Sequence, residues 1–137
     1  MTYKVLALDL DGTTLAPDTS MTEATKQFYK KRGQILVKNL QARHFDAYYC
    51  ETKEEALKKA LELDLPVIVH EREAHEDGMK IVDEFPEVKG VFHCYSGSAE
   101  MARQLVDLGW YIGFTGVLTF KNARRAVETA ESIPLER

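Results

Sequence analysis

Pro66-Val67-Ile68-Val69-His70 and Gly90-Val91-Phe92-His93-Cys94 decide the fold. Each is a short apolar run that becomes polar only at its histidine end. The runs are continuous rather than alternating, the pattern of strands covered by helices on both faces. Tyr3 to Leu10, with Val5-Leu6-Ala7-Leu8 at its centre, has the same character and ends in Asp9-Leu10-Asp11-Gly12. Two weaker runs complete the set. Phe45 to Cys50 alternates Phe45, Ala47 and Tyr49 with Asp46 and Tyr48, which suits a sheet edge, and Trp110 to Phe114 closes the series.

Helical periodicity fills the intervals. Ser20 and Glu23 form a capping-box pair ahead of a long helix through Phe28, Ile35, Leu36 and Leu40, which Gly33 weakens or kinks. Thr52 and Glu55 repeat the pair before a helix whose buried stripe is Ala56, Leu57, Ala60 and Leu61. A third helix, from about Ala74 to Phe85, turns Ile81, Val82 and Phe85 inward. Ser98 caps a fourth with Met101, Ala102, Leu105 and Val106 facing the core, and Thr119 a fifth with Ala123, Ala126, Val127 and Ala130.

Strands alternating with helices imply parallel pairing through right-handed crossovers. The expected fold is therefore α/β: a three-layer, doubly wound, parallel five-stranded sheet over residues 1–137 as one domain. The most uniformly apolar strands, the first, third and fourth, belong at the centre. That gives the flavodoxin-like order 2-1-3-4-5, with the Rossmann-like order 3-2-1-4-5 as the alternative.

Composition sets the outer limits. A chain of 137 residues is the size of one domain, and 45% hydrophobic with 29% charged residues is an ordinary globular mixture. No apolar run approaches the roughly 20 residues needed to span a bilayer. Met1-Thr2-Tyr3-Lys4 runs straight into a strand without a signal-peptide pattern, so the expected location is cytoplasmic, without a membrane partner. A net charge of −4 with mixed signs provides no basic field and so does not imply nucleic acid. Cys50 and Cys94 lack a C-x-x-C partner and read as reduced, partly buried thiols. The expected state is a monomer or homodimer.

Three families are resembled in turn. Val5-Leu6-Ala7-Leu8-Asp9-Leu10-Asp11-Gly12-Thr13-Thr14-Leu15, within residues 1–25, resembles motif I of Cof-type haloacid-dehalogenase-like phosphatases. The resemblance implies Asp9 as phosphoryl-accepting nucleophile, Asp11 as general acid/base, and magnesium held by both. Residues 26–63, with Asn39-Leu40-Gln41-Ala42-Arg43-His44-Phe45-Asp46 and Thr52-Lys53-Glu54-Glu55-Ala56-Leu57, look like a helix-strand-helix stretch of lactate-utilisation (LUD) proteins. Residues 64–137 resemble TatD-family metal-dependent hydrolases, deoxyribonuclease-like barrel enzymes. The signatures are Leu65-Pro66-Val67-Ile68-Val69-His70-Glu71-Arg72-Glu73-Ala74, Gly90-Val91-Phe92-His93-Cys94-Tyr95-Ser96-Gly97-Ser98 and Gly113-Phe114-Thr115-Gly116-Val117-Leu118-Thr119-Phe120. That resemblance implies His70 and His93 as metal ligands at the C-terminal ends of neighbouring strands.

Each pattern is incomplete. The sequence has no H-x-H pair and no E-x-G-L-D segment of the TatD type, and the E-T-D segment of that family falls beyond Arg137. The later dehalogenase motifs, with their threonine or serine, lysine and acidic pair, are not recognisable. Two imidazoles are fewer than the three protein ligands of a catalytic metal site. The leading expectation is thus a designed or recombinant chimeric α/β scaffold without a complete natural active site, and not an enzyme. Two alternatives stay open: a residual metal-dependent phosphatase or phosphodiesterase, and anion or metal binding at the rim.

The rim argument comes from topology. Parallel strands point their C-terminal ends to one side, so Asp9, Asp11, His70 and His93 share that side and offer two carboxylates and two imidazoles to a divalent metal such as zinc, manganese, nickel or magnesium. The opposing expectation makes the aspartates loop and helix caps and the histidines hydrogen-bonded strand ends. Ser96-Gly97-Ser98 and Thr115-Gly116 precede helices and could present N–H groups to an anion, although capping is the commoner use of such residues. Glu71, Arg72, Glu73 and His75 are substrate-proximal by the resemblance, or else a solvated helix start. His44 reads as a surface residue, and Tyr48, Tyr49 and Trp110 as packing residues.

Overall fold

The computed structural model describes residues 6–11 by their backbone, together with residues 23–50, 52–72 and 74–137. The chain order is β1 (Leu6–Asp11), α1 (Glu23–Gln41), α2 (Lys53–Glu62), β2 (Val67–Arg72), α3 (His75–Glu84), β3 (Gly90–His93), α4 (Ala99–Asp107), β4 (Tyr111–Gly113), a 3-10 turn (Gly116–Thr119) and α5 (Arg124–Glu131). The four strands form one parallel sheet in the order β1-β2-β3-β4. Among the described residues no helix is long and apolar enough to cross a membrane.

An α/β fold with a parallel sheet is what the alternating pattern called for, but the five-stranded orders need correction. Phe45 to Cys50 forms no strand, and Phe45 and Tyr48 are exposed. The Rossmann-like order fails as well, because the Asp9-bearing strand pairs directly with the His70-bearing one. Without a strand after α1, the segment is tied back by Gln41 Nε2, which donates to the Ala47 carbonyl at 2.9 Å. α1 runs without a break through Gly33, yet Phe28, Ile35 and Leu36, expected to face the core, remain exposed. The Ser20 cap of this helix lies outside the described residues.

The core forms where the helices meet the sheet. Val67 and Val69 of β2, Phe92 of β3 and Ile112 of β4 pack with Leu57 and Ala60 of α2, Ile81 and Val82 of α3, and Ala102 and Leu105 of α4. Phe92 meets Trp110 edge to face with ring centroids 5.1 Å apart, a favoured aromatic geometry. Leu61, placed with the α2 stripe by its spacing, lies at the margin and is exposed.

Local signals set the helix ends. Thr52 Oγ1 accepts from the Glu55 N–H at 3.2 Å and Ser98 Oγ from the Met101 N–H at 3.1 Å, so both expected N-caps form. Thr119 does not cap α5: its hydroxyl donates to the Gly116 carbonyl inside the 3-10 turn, and α5 starts after Ala123. Its most buried residue is Thr129, whereas Val127 is exposed. Three helices end in the same way. His44 (φ 63°), Asp64 (φ 51°) and Gly109 (φ 90°) take left-handed backbone, and Phe45, Leu65 and Trp110 donate back to the carbonyls of Leu40, Ala60 and Leu105. These paired six-to-one bonds satisfy the last helical carbonyls.

β2 and β3 lie in the register Val67↔Gly90, Ile68↔Val91, Val69↔Phe92, His70↔His93. Gly90 permits it, because a Cβ there would collide with the Val67 carbonyl oxygen. Gly116, by contrast, has nothing near an added Cβ. Gly90→Ala is expected to destabilise the protein by about 1–3 kcal/mol, whereas Gly116→Ala stays within about 0.5 kcal/mol of the parent. Urea unfolding of the two variants checks this, and equal midpoints would contradict it.

Candidate metal centre

The rim begins with a row of backbone positions. Asp9 pairs with His70, His70 with His93, and His93 with Gly113, so one line crosses all four strands near their C-terminal ends. Asp11 stands two residues further along β1, paired with Arg72. The side chains of Asp9 and Asp11 are outside the described residues, and their backbones occupy the side of the sheet that topology assigned them.

The two imidazoles come together. His70 is half-buried and His93 exposed, and their ring centroids are 6.1 Å apart with an interplanar angle of 47°. Cys94 joins them: one ligand atom from each of His70, His93 and Cys94 lies within 4.8 Å of the others. Consecutive strand residues normally project to opposite faces. Cys94 escapes that rule because β3 stops at His93 and Cys94 has φ 56°. Unlike His44 and Asp64, it terminates no helix, and its left-handed backbone serves the strand-to-loop turn alone. The thiol is half-buried and free of any disulfide. Reading Cys94 as no more than a buried thiol missed this convergence, for which the only sequence signal is its place directly after the strand-end histidine.

Two nitrogens and a sulfur at the mouth of a parallel sheet suit a borderline-soft divalent ion. Zinc takes imidazole and thiolate ligands at about 2.0–2.3 Å in tetrahedral geometry. The donor set therefore fits a zinc-type ion better than magnesium, which prefers oxygen.

Glu71, one residue past His70, is only 4% exposed and is not part of a solvated helix start. One carboxylate oxygen accepts from the Ala74 N–H at 2.8 Å and the other sits 2.8 Å from His75 Nδ1. The carboxylate thus fastens the start of α3, which has no capping side chain at Ala74, and fixes the strand-to-helix turn that follows His70. The four-residue spacing of Glu71 and His75 was the available signal. Arg72's side chain and Glu73 lie outside the described residues.

The loops expected to bind anions are committed in part. Ser98 Oγ caps α4, its carbonyl accepts from the Tyr95 hydroxyl at 2.8 Å, and Gly97 lies against the Tyr95 ring, leaving no room for a Cβ. Burial holds the Tyr95 phenol well above its usual range. The Glu71 carboxylate adds to this effect, and Arg125 partly offsets it. The folded protein keeps this phenol neutral where an exposed tyrosine ionises, so its contribution to stability is whole below about pH 10 and is lost as pH rises beyond that. Ser96 and Gly97 border an open cavity of about 210 Å³ that Tyr95, Phe114, Asn122 and Arg125 also line. Thr115 and Gly116 lead into the 3-10 turn, at which Thr115 makes no side-chain cap.

A family model described as TatD related DNase matches residues 40–137. An uncharacterized metal-dependent hydrolase of Bacillus subtilis is 42% identical over 80 residues, which are 57% of this chain and 31% of that protein. One of Escherichia coli is 44% identical over 78 residues, 56% of this chain and 29% of that protein. A 3'-5' RNA nuclease of Homo sapiens is 39% identical over 88 residues, 61% of this chain and 12% of that one. The chain spans about a third or less of the length of these relatives. Among solved structures, a TatD-family hydrolase of Entamoeba histolytica superposes with a TM-score of 0.56 at 23% identity, covering 95% of this chain and 35% of that one, a likeness of fold alone.

These matches support the TatD-like part of the three-family reading, carry it back to residue 40, and lend no support to a designed scaffold. The match begins at residue 40, inside the stretch likened to lactate-utilisation proteins, and crosses the expected join at residue 63 without a break. One natural family accounts for everything from there to Arg137, and neither the dehalogenase-like nor the lactate-utilisation-like part gains support.

The clasp on α3 is open to a direct check. Glu71→Ala leaves the half-buried Ala74 N–H without its acceptor and is expected to lower stability by about 1–3 kcal/mol. Chemical denaturation measures it, and an unchanged midpoint would show that Glu71 does not anchor the helix.

Proposed function

The chain belongs to the TatD-related DNase family, and from that premise we propose that it carries part of a metal-dependent phosphodiesterase centre. His70 and His93 are its metal ligands, and the phosphodiester backbone of nucleic acid is its substrate. The observation that carries this reading is the register that sets His70 directly across from His93 at the strand ends, with ring centroids 6.1 Å apart. The nucleic-acid substrate is supported by the relatives, a family described as TatD related DNase and a human 3'-5' RNA nuclease.

A divalent ion bound there supplies Lewis-acid polarisation of a phosphoryl oxygen and a more acidic bound water. The protein's own part is positional. β2 and β3 hold the imidazoles side by side, and the Glu71 clasp fastens the start of α3 to the end of β2. Asp9, whose backbone pairs with His70, and Asp11 remain in the proposal as further donors from the adjacent strand. With a net charge of −4, the chain draws its polyanionic substrate through the site itself and not through a broad positive field.

Labelled single-stranded DNA and RNA incubated with magnesium, manganese or zinc provide the test. Cleavage is expected with at least one metal, lost on chelation, and reduced about tenfold or more by His70→Ala or His93→Ala, the scale on which disturbed metal sites lose activity. Cleavage indifferent to both substitutions, or its absence with every metal, would overturn the reading.

A further inference from the structure

We infer that Cys94 binds as a thiolate alongside His70 and His93, turning the rim into a three-ligand nitrogen–sulfur site that selects zinc over magnesium. The inference rests on the metal-centre reading above and adds a donor to it. Three observations carry it. The Cys94 sulfur belongs to the same 4.8 Å cluster as the two imidazoles. Its left-handed backbone, at φ 56°, lets a residue next to His93 share the histidines' side of the sheet. The thiol is half-buried and carries no disulfide, so it is available to a metal yet sheltered beside the sheet.

The geometry is close to what a metal needs. Nitrogen and sulfur ligands on a tetrahedral zinc stand roughly 3.3–3.6 Å apart, given bond lengths of about 2.0–2.3 Å. The cluster therefore contracts by little more than an ångström on loading, a change that side-chain torsions accommodate. These three protein ligands leave the fourth tetrahedral position to water, a substrate oxygen or a carboxylate of the adjacent strand. Binding is balanced by loss of one proton: the Cys94 S–H gives its proton to solvent as the sulfur–metal bond forms, with no change of oxidation state. A thiolate donor favours zinc and cobalt strongly over magnesium, which keeps its oxygen ligands.

Cobalt(II) titration of the whole chain reads the donor atoms directly. The expected result is the visible ligand-field absorption of tetrahedral cobalt together with an intense near-ultraviolet sulfur-to-cobalt charge-transfer band. That band is expected to vanish in Cys94→Ser and persist in Cys50→Ser. Zinc affinity is expected to fall about tenfold or more in Cys94→Ser, as for other disturbed metal sites, with weak magnesium binding unchanged. Serine preserves the Cβ, so the left-handed turn is undisturbed, and the band in the unsubstituted protein needs no variant at all. Visible absorption without the charge-transfer band, a band that survives Cys94→Ser, or unaltered zinc affinity in that variant would overturn the thiolate and leave the histidine centre standing. Absence of both absorptions would overturn the metal-centre reading together with this one.

Discussion

The register between β2 and β3 is the constraint on which the rest depends. Gly90 lies opposite Val67 at a separation that admits no side chain, and Val69 and Phe92, the next inward pair, are fully buried. A slip of one residue would turn the buried face of a strand outward, so hydrophobic burial and the glycine contact enforce a single alignment. His70 and His93 are simply the next pair in that alignment. A packing requirement deep in the sheet thus places two imidazoles abreast at its rim.

The neighbouring elements hold that rim from behind. Two residues after His70 β2 ends, and buried Glu71, still within the strand, secures the start of α3 by binding the Ala74 N–H and His75. After His93 it turns at Cys94 and passes under Tyr95, whose N–H donates to the Gly113 carbonyl of β4 and whose hydroxyl donates to the Ser98 carbonyl at the head of α4. Next to each of these sites stands a buried residue whose polar atoms are engaged, Glu71 by the Ala74 N–H and His75, and Tyr95 by the Ser98 carbonyl. The division of labour is clear: histidines and cysteine face the open side, while the glutamate and tyrosine next to them are used for structure.

Much of this could be read from sequence because the driving forces are local. Continuous apolar runs identified the parallel strands, and a hydroxyl residue just ahead of a helical apolar stripe identified the caps at Thr52 and Ser98. What escaped depended on partners that a sequence does not show. Phe45–Cys50 has strand-like alternation yet pairs with no described strand, and Phe28, Ile35 and Leu36 of α1 have helical spacing yet stay exposed. Thr119 has the chemistry of a cap but finds its acceptor within its own turn. Two histidines were recognisable as a pair from their equivalent strand-end positions. Cys94 was not, because its contribution depends on one backbone torsion. Fragments of several motifs suggested a mosaic, of which the comparisons support the TatD-like part, over residues 40–137.

Anomalous scattering at the zinc absorption edge, from crystals of the chain grown with zinc, tests the central claim most directly. The account predicts a dominant anomalous peak between the rings of His70 and His93, at bonding distance from a nitrogen of each. A zinc-loaded crystal whose anomalous peaks all lie away from these two rings would contradict it.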